Sequence, residues 1–147
     1  QRHIPYLIGM TSQDMMPPIL YKMAGDWCRT QAAQNGPASY EWFFDRQLPG
    51  DACGAWHSSD LWYWFGTLDH CWRPFTAQDK VLSAQMVSYL TNFAKHGDPN
   101  GTDVPVWLPI DATQHKVLRL GEQPARMGSA SMPKLVWTML TNKAVGE

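Results

Sequence analysis

Histidine is the side chain best suited to proton transfer near neutral pH, and the 147-residue sequence holds five of them. One has a suggestive context. His57 stands in Pro49-Gly50-Asp51-Ala52-Cys53-Gly54-Ala55-Trp56-His57-Ser58-Ser59-Asp60, a glycine-containing loop that leads into the aromatic run Leu61-Trp62-Tyr63-Trp64-Phe65. A loop on a rigid scaffold, shielded from water by aromatics, is a place where a catalytic base can be held and tuned. The plainer alternative is a loop histidine bonded to the backbone. A base of this kind works best with a carboxylate on its second nitrogen, which fixes the tautomer and stabilises the imidazolium formed during acyl transfer. Asp14 is the candidate, against the plainer reading of an aspartate accepting backbone hydrogen bonds at a turn or helix start. A metal deserves the same weighing. Cys53, His57, His70 and Cys71 fall within nineteen positions, and zinc accepts such ligands. Their spacing offers no paired Cys-x-x-Cys or His-x-x-x-His arm, so no metal is expected, and nothing in the sequence calls for a cofactor.

The elements around these residues explain why they can meet. Ile4 to Ile8 is a short apolar run closed by Gly9, as in a strand buried on both faces of a parallel sheet. After Pro17-Pro18, which can open a helix, Leu20, Met23, Ala24, Trp27 and Gln31 fall at helical spacing, predicting a helix over 18–35 ended by Asn35-Gly36-Pro37. Residues 39–45, Ser39-Tyr40-Glu41-Trp42-Phe43-Phe44-Asp45, are rich in aromatics and read as a second strand. Strand, helix, strand at these lengths is a βαβ unit with parallel strands. The loops after its two strands emerge at the same carboxyl edge, where ligands bind in open α/β sheets. Asp14 is in the first such loop and His57 in the second.

Further along, Thr76-Ala77-Gln78-Asp79 resembles a capping box, and Leu82, Met86, Tyr89, Leu90 and Phe93 mark the apolar face of a helix reaching about Lys95. A strong turn follows at Gly97-Asp98-Pro99-Asn100-Gly101. Val104 to Trp107 and Lys116 to Leu120 read as short edge or hairpin strands. Met132 to Lys143 reads as a C-terminal helix burying Leu135, Val136, Met139 and Leu140.

Composition narrows the function classes. Thirteen acidic and twelve basic residues leave a net charge of −1, so no long-range field recruits nucleic acid or an anionic membrane, and neither is expected as a partner. No apolar run approaches the eighteen or so residues of a membrane-spanning helix. Three cysteines are too few for a disulfide framework and favour a reducing compartment. Eight tryptophans are most simply core, since each carries a large apolar area. A carbohydrate-binding platform is a weaker alternative. The sequence runs within three positions into an apolar stretch, which reads as a cut made inside a fold.

Two segments carry a family resemblance. Gly54-Ala55-Trp56-His57-Ser58-Ser59-Asp60-Leu61, followed by Tyr63-Trp64-Phe65-Gly66, resembles the histidine motif of type-B carboxylesterases and cholinesterase-like proteins, where Gly-x-x-His leads into an acidic residue and then an aromatic-Phe-Gly. Asn92-Phe93-Ala94-Lys95-His96-Gly97-Asp98-Pro99-Asn100, with Pro105 to Trp107 after it, is similar to a second family segment. The resemblance implies that residues 1–147 are the C-terminal portion of one α/β-hydrolase catalytic domain, with a mostly parallel sheet and flanking helices. It implies His57 as catalytic base. The family's acid lies five residues past a strand-ending glycine, and counting from Gly9 reaches Asp14. That acid is often glutamate followed by glycine, whereas Asp14 precedes Met15-Met16-Pro17-Pro18, and the interval to His57 is shorter than in cholinesterase-like members.

The implied activity is hydrolysis of a small-molecule carboxylic ester through an acyl-enzyme, with Trp56 and neighbouring aromatics walling the substrate pocket. The nucleophile of such enzymes lies upstream of acid and base, in a Gly-x-Ser-x-Gly elbow. The sequence contains no such elbow, and Gly128-Ser129-Ala130-Ser131-Met132 lacks its spacing. The expected partner is therefore the N-terminal portion of the same protein. The chain alone is expected to be inactive and poorly soluble, with strands 4–10 and 39–45 each exposing an edge or face. The rival reading is a non-catalytic cholinesterase-like binding module, since fold does not dictate function.

Overall fold

A computed structural model describes residues 4–121 and 124–141. Nine short elements follow one another among them: β1 (Tyr6–Thr11), α1 (Pro17–Ala33), β2 (Ser39–Phe44), α2 (Leu61–Trp64), a 3-10 turn (Leu68–His70), α3 (Ala77–His96), β3 (Val117–Leu120), β4 (Arg126–Gly128) and α4 (Met132–Thr141). The strands form one sheet in the order β1-β2-β3-β4. The first three run parallel and β4 is antiparallel to β3. Helices α1 and α4 cover one face, where Met10, Tyr21, Cys28, Phe43, Val117 and Leu135 pack. The other face carries α2 and α3 over a larger cluster that includes Phe44, Tyr63, Met86, Tyr89, Trp107 and Leu118.

The βαβ unit has the expected form, with β1 and β2 paired from Tyr6↔Ser39 to Thr11↔Phe44. Gly9 does not close β1, which continues two residues further. It lies within the strand opposite Trp42, where a Cβ would sit 2.3 Å from the indole Cδ2. Glycine is required there for packing, not for a turn. Helix α1 buries Tyr21, Ala24, Gly25, Cys28 and Gln31. Met23 and Trp27, placed on the inner face by spacing alone, stay exposed at 63% and 37%.

Helix α3 begins with the complete capping box: Asp79 N–H faces Thr76 Oγ1 and Thr76 N–H donates to Asp79 Oδ2, an arrangement worth about 1 kcal/mol. Asp79 does more than cap. It is fully buried and accepts from Arg46 Nε at 2.8 Å and Tyr63 O–H at 2.7 Å. Burial alone would raise its pKa, but these donors hold the carboxyl down at about 2. The network fastens α3 to the segment leaving β2 and to α2.

Other segments depart from expectation. Val104–Trp107 is not a strand, because the Asn100 side chain takes both backbone groups a neighbouring strand would use: Trp107 N–H donates to Asn100 Oδ1 (2.7 Å) and Asn100 Nδ2 donates to Trp107 O (2.9 Å). Of the two alternatives for segment 117–120 the hairpin holds and the edge does not, since β3 lies between β2 and β4 and pairs antiparallel with β4. Strand β2 likewise is paired on both sides and buried at five of six positions, leaving β1 as the outer parallel strand with one unpaired edge. Finally, α4 buries only Leu135, while Val136, Met139 and Leu140 are exposed. The expected end of this helix, 142–143, lies outside the described residues.

Candidate active site

Sheet pairing continues past the ends of β1 and β2 and fixes the two loops that follow. Ser12 N–H donates to Phe44 O at 2.8 Å, and Gln13 N–H donates to Ala55 O at 2.9 Å. Gln13 and Trp56 then form an isolated parallel bridge. In a parallel pair the next residues on each chain are neighbours, and these are Asp14 and His57. Gly54 permits this approach: its φ is +69°, and a Cβ would lie 2.1 Å from Gln13 Oε1.

The side chains meet. His57 Nδ1 lies 2.7 Å from Asp14 Oδ1, with the imidazole 66% exposed and the carboxylate 10% exposed. Asp14 is held by its own surroundings, since Oδ1 accepts the Met15 N–H at 2.8 Å and Thr11 Oγ1 lies 3.4 Å from Oδ2. A carboxylate fixed by the backbone, facing one imidazole nitrogen and leaving the other accessible, can bias the tautomer and support a positive charge on the ring. The loop carrying His57 is braced from below. Arg73 donates to Pro49 O at 2.9 Å and to Asp51 Oδ2 at 2.6 Å, and Asp51 Oδ1 accepts the Cys53 N–H at 3.0 Å. The guanidinium of Arg73 and the Cys53 N–H hold the Asp51 carboxyl at about 2.

Trp56 is half-buried and packs edge-on against Trp62, ring centroids 5.7 Å apart. The tryptophans do not form a common platform. Trp107 is fully buried and Trp64 nearly so, whereas Trp27, Trp72 and Trp137 are exposed in separate places. Among the described residues no three histidine, cysteine or acidic side chains converge as a metal site would require.

Two carboxylates have partners that the sequence does not announce. Asp60, three residues after His57, is buried, and its Oδ2 accepts the indole N–H groups of both Trp42 (3.3 Å) and Trp64 (3.1 Å). Burial pushes its pKa up against these two donors, and the nearby Asp14 charge pushes the same way. Glu41, in the middle of β2, is fully buried with Oε2 2.7 Å from His115 Nε2. Its signal in the sequence was an acidic residue inside a strand otherwise fit for the core.

Comparison with known proteins places the geometry in context. The model of the carboxylesterase family matches residues 2–136. Bile salt-activated lipase of Rattus norvegicus is 46% identical over 73 residues, covering 48% of this chain and 12% of that protein. The Homo sapiens bile salt-activated lipase is 36% identical over 88 residues, covering 58% of this chain and 11% of that protein. Acylcarnitine hydrolase of Rattus norvegicus is 43% identical over 51 residues, 35% of this chain and 9% of that protein. The chain thus spans between 9% and 12% of the length of these relatives. A solved esterase from Clostridium hathewayi, described as able to hydrolyse aliphatic aromatic polyesters, matches with a TM-score of 0.65 at 20% identity, covering 83% of this chain and 24% of that one. The sheet and its flanking helices are therefore part of an α/β-hydrolase fold.

Proposed function

From the premise that this chain belongs to the carboxylesterase family, we propose that the intact protein hydrolyses carboxylic esters through an acyl-enzyme, with His57 as base and Asp14 as the acid that orients it. The carrying observation is the 2.7 Å contact between His57 Nδ1 and Asp14 Oδ1 at the carboxyl edge of the sheet. With Nδ1 facing the carboxylate, Nε2 is the nitrogen that exchanges protons. A serine hydroxyl supplied from upstream attacks the ester carbonyl and gives its proton to Nε2. The tetrahedral intermediate collapses, the alkoxide leaves with that proton, and the serine stays acylated. Water then repeats the sequence, attacking the acyl-enzyme as Nε2 takes its proton and returns it to the serine.

Serine and oxyanion donors both belong, on this reading, to the upstream portion of the same catalytic domain. The unpaired edge of β1 is where that portion docks. Apolar cavities flank the edge on both faces of the sheet, one of about 340 Å³ lined by residues including Leu7, Trp42, Leu61 and Phe93, the other also of about 340 Å³ and including Ile8, Met10, Leu20 and Trp27. Chain 1–147 expressed alone accordingly turns over no ester by this route. Trp56, beside His57 and backed by Trp62, walls the substrate pocket.

In the intact protein, His57→Ala is expected to lower kcat for a chromogenic ester by about a thousandfold or more. Turnover within tenfold of the parent protein removes His57 from the mechanism.

A further inference from the structure

A base on a loop and an acid at the end of a strand keep a 2.7 Å contact only if loop and strand are held to each other. The Gln13–Trp56 bridge is one tie. A second runs through Asp60, which ends the His57 loop at the start of α2. Its single oxygen Oδ2 accepts the Trp42 indole at 3.3 Å and the Trp64 indole at 3.1 Å, and the two indoles meet edge-on with centroids 5.0 Å apart. Trp42 belongs to β2 and stands in register with Gly9 of β1. Its ring occupies the space a Cβ on Gly9 would need, 2.3 Å away. Gly9 lies in the strand that ends at the Asp14 loop. The chain of contacts is thus Gly9, Trp42, Asp60 and then the base's loop, with Trp64 bracing the far side.

A carboxylate is an expensive way to fill this position. It is buried at 7% exposure among aromatic rings, the side chains that donate to it are two neutral indole N–H groups, and an apolar residue of similar size would avoid the desolvation. What the carboxylate oxygen supplies and a hydrocarbon cannot is directional bonding to two indoles at once. We infer that Asp60 is a positioning residue for the His57–Asp14 pair: by holding Trp42 and Trp64 on one oxygen, it sets the spacing between the loop that carries the base and the strand that leads to the acid. This rests on the reading of that pair as base and acid.

The test uses the intact protein, with active sites counted by a serine-directed fluorophosphonate, so that kcat is expressed per working site. Asp60→Ala is expected to lower kcat per site by about 10- to 100-fold, the scale of a misplaced catalytic group, with KM changed less than about threefold. Asp60→Asn keeps an oxygen acceptor in place and is expected to return kcat to within about threefold of the parent. Trp42→Phe keeps the ring over Gly9 but deletes one donor; its kcat per site should fall about threefold or more, which keeps the test decisive if Asp60→Ala does not fold. Parent-like turnover per titrated site in Trp42→Phe, or in a folded Asp60→Ala, overturns the positioning role and leaves Asp60 a packing residue. An Asp60→Asn variant as slow as Asp60→Ala overturns it in another way, by showing that charge rather than the acceptor matters. His57→Ala separates the two levels: parent-like turnover there removes the base and acid themselves, whereas an inactive His57→Ala beside parent-like Asp60 and Trp42 variants removes only this inference.

Discussion

Among the described residues two histidine–carboxylate pairs share a 2.7 Å separation and have opposite surroundings. In His57–Asp14 the imidazole is 66% exposed at the carboxyl edge of the sheet. In His115–Glu41 the imidazole is 17% exposed and the acid fully buried, on the face covered by α1. The Tyr21 ring stacks on His115 at 4.3 Å, and Gly25 leaves it room, since a Cβ there would lie 2.3 Å from the imidazole Cε1. Identical contacts therefore suit different ends. An exposed imidazole on a fixed carboxylate can pass protons to a substrate, whereas an enclosed one joins α1, β2 and the approach to β3. Solvation, not the hydrogen bond, distinguishes the two.

The sharpest way to separate the pairs by stability is His115→Ala. It leaves Glu41 a buried carboxylate without the His115 imidazole, and the expected loss at pH 7 is about 3–5 kcal/mol. His57→Ala, on the surface, should change stability by no more than about 0.5 kcal/mol. Urea unfolding of the two variants side by side measures both, and similar losses would erase the distinction.

A smaller effect sharpens it further. Burial holds the Glu41 carboxyl above its ordinary value of 4.5, with the His115 hydrogen bond opposing. A carboxyl whose pKa is raised by folding contributes its full stability below the unfolded value, and that contribution is lost as pH rises through the folded value. Glu41→Gln has no such group. Its stability relative to the parent should therefore increase from about pH 4 to pH 7, read by urea midpoints across that range. A difference that stays flat or falls would place Glu41 in a more polar setting than its burial indicates.

The sequence made the exposed pair legible and hid the enclosed one. Asp14 and His57 each follow a strand that periodicity and punctuation mark clearly, and parallel pairing is enough to bring their loops together. Glu41 and His115 are 74 positions apart and meet because β3 enters the sheet beside β2, which no local pattern announces. The same limit explains Val104–Trp107, which reads as a short strand although an asparagine side chain supplies its hydrogen bonds. It explains α4 as well: its apolar spacing is genuine, yet one residue, Leu135, reaches the core. Asp60 was visible as an acidic residue in an aromatic run, but its two indole partners come from different elements, and only the fold assembles them.

In the proposed mechanism Asp14 acts through His57, and Asp14→Asn in the intact protein isolates that step. An amide at this position keeps the shape of the carboxylate but favours the wrong imidazole tautomer and cannot stabilise the imidazolium. Measured on a chromogenic ester, kcat is predicted to fall by about a thousandfold or more with the unfolding midpoint little changed; a kcat within about tenfold of the parent would contradict the pairing as the source of catalysis.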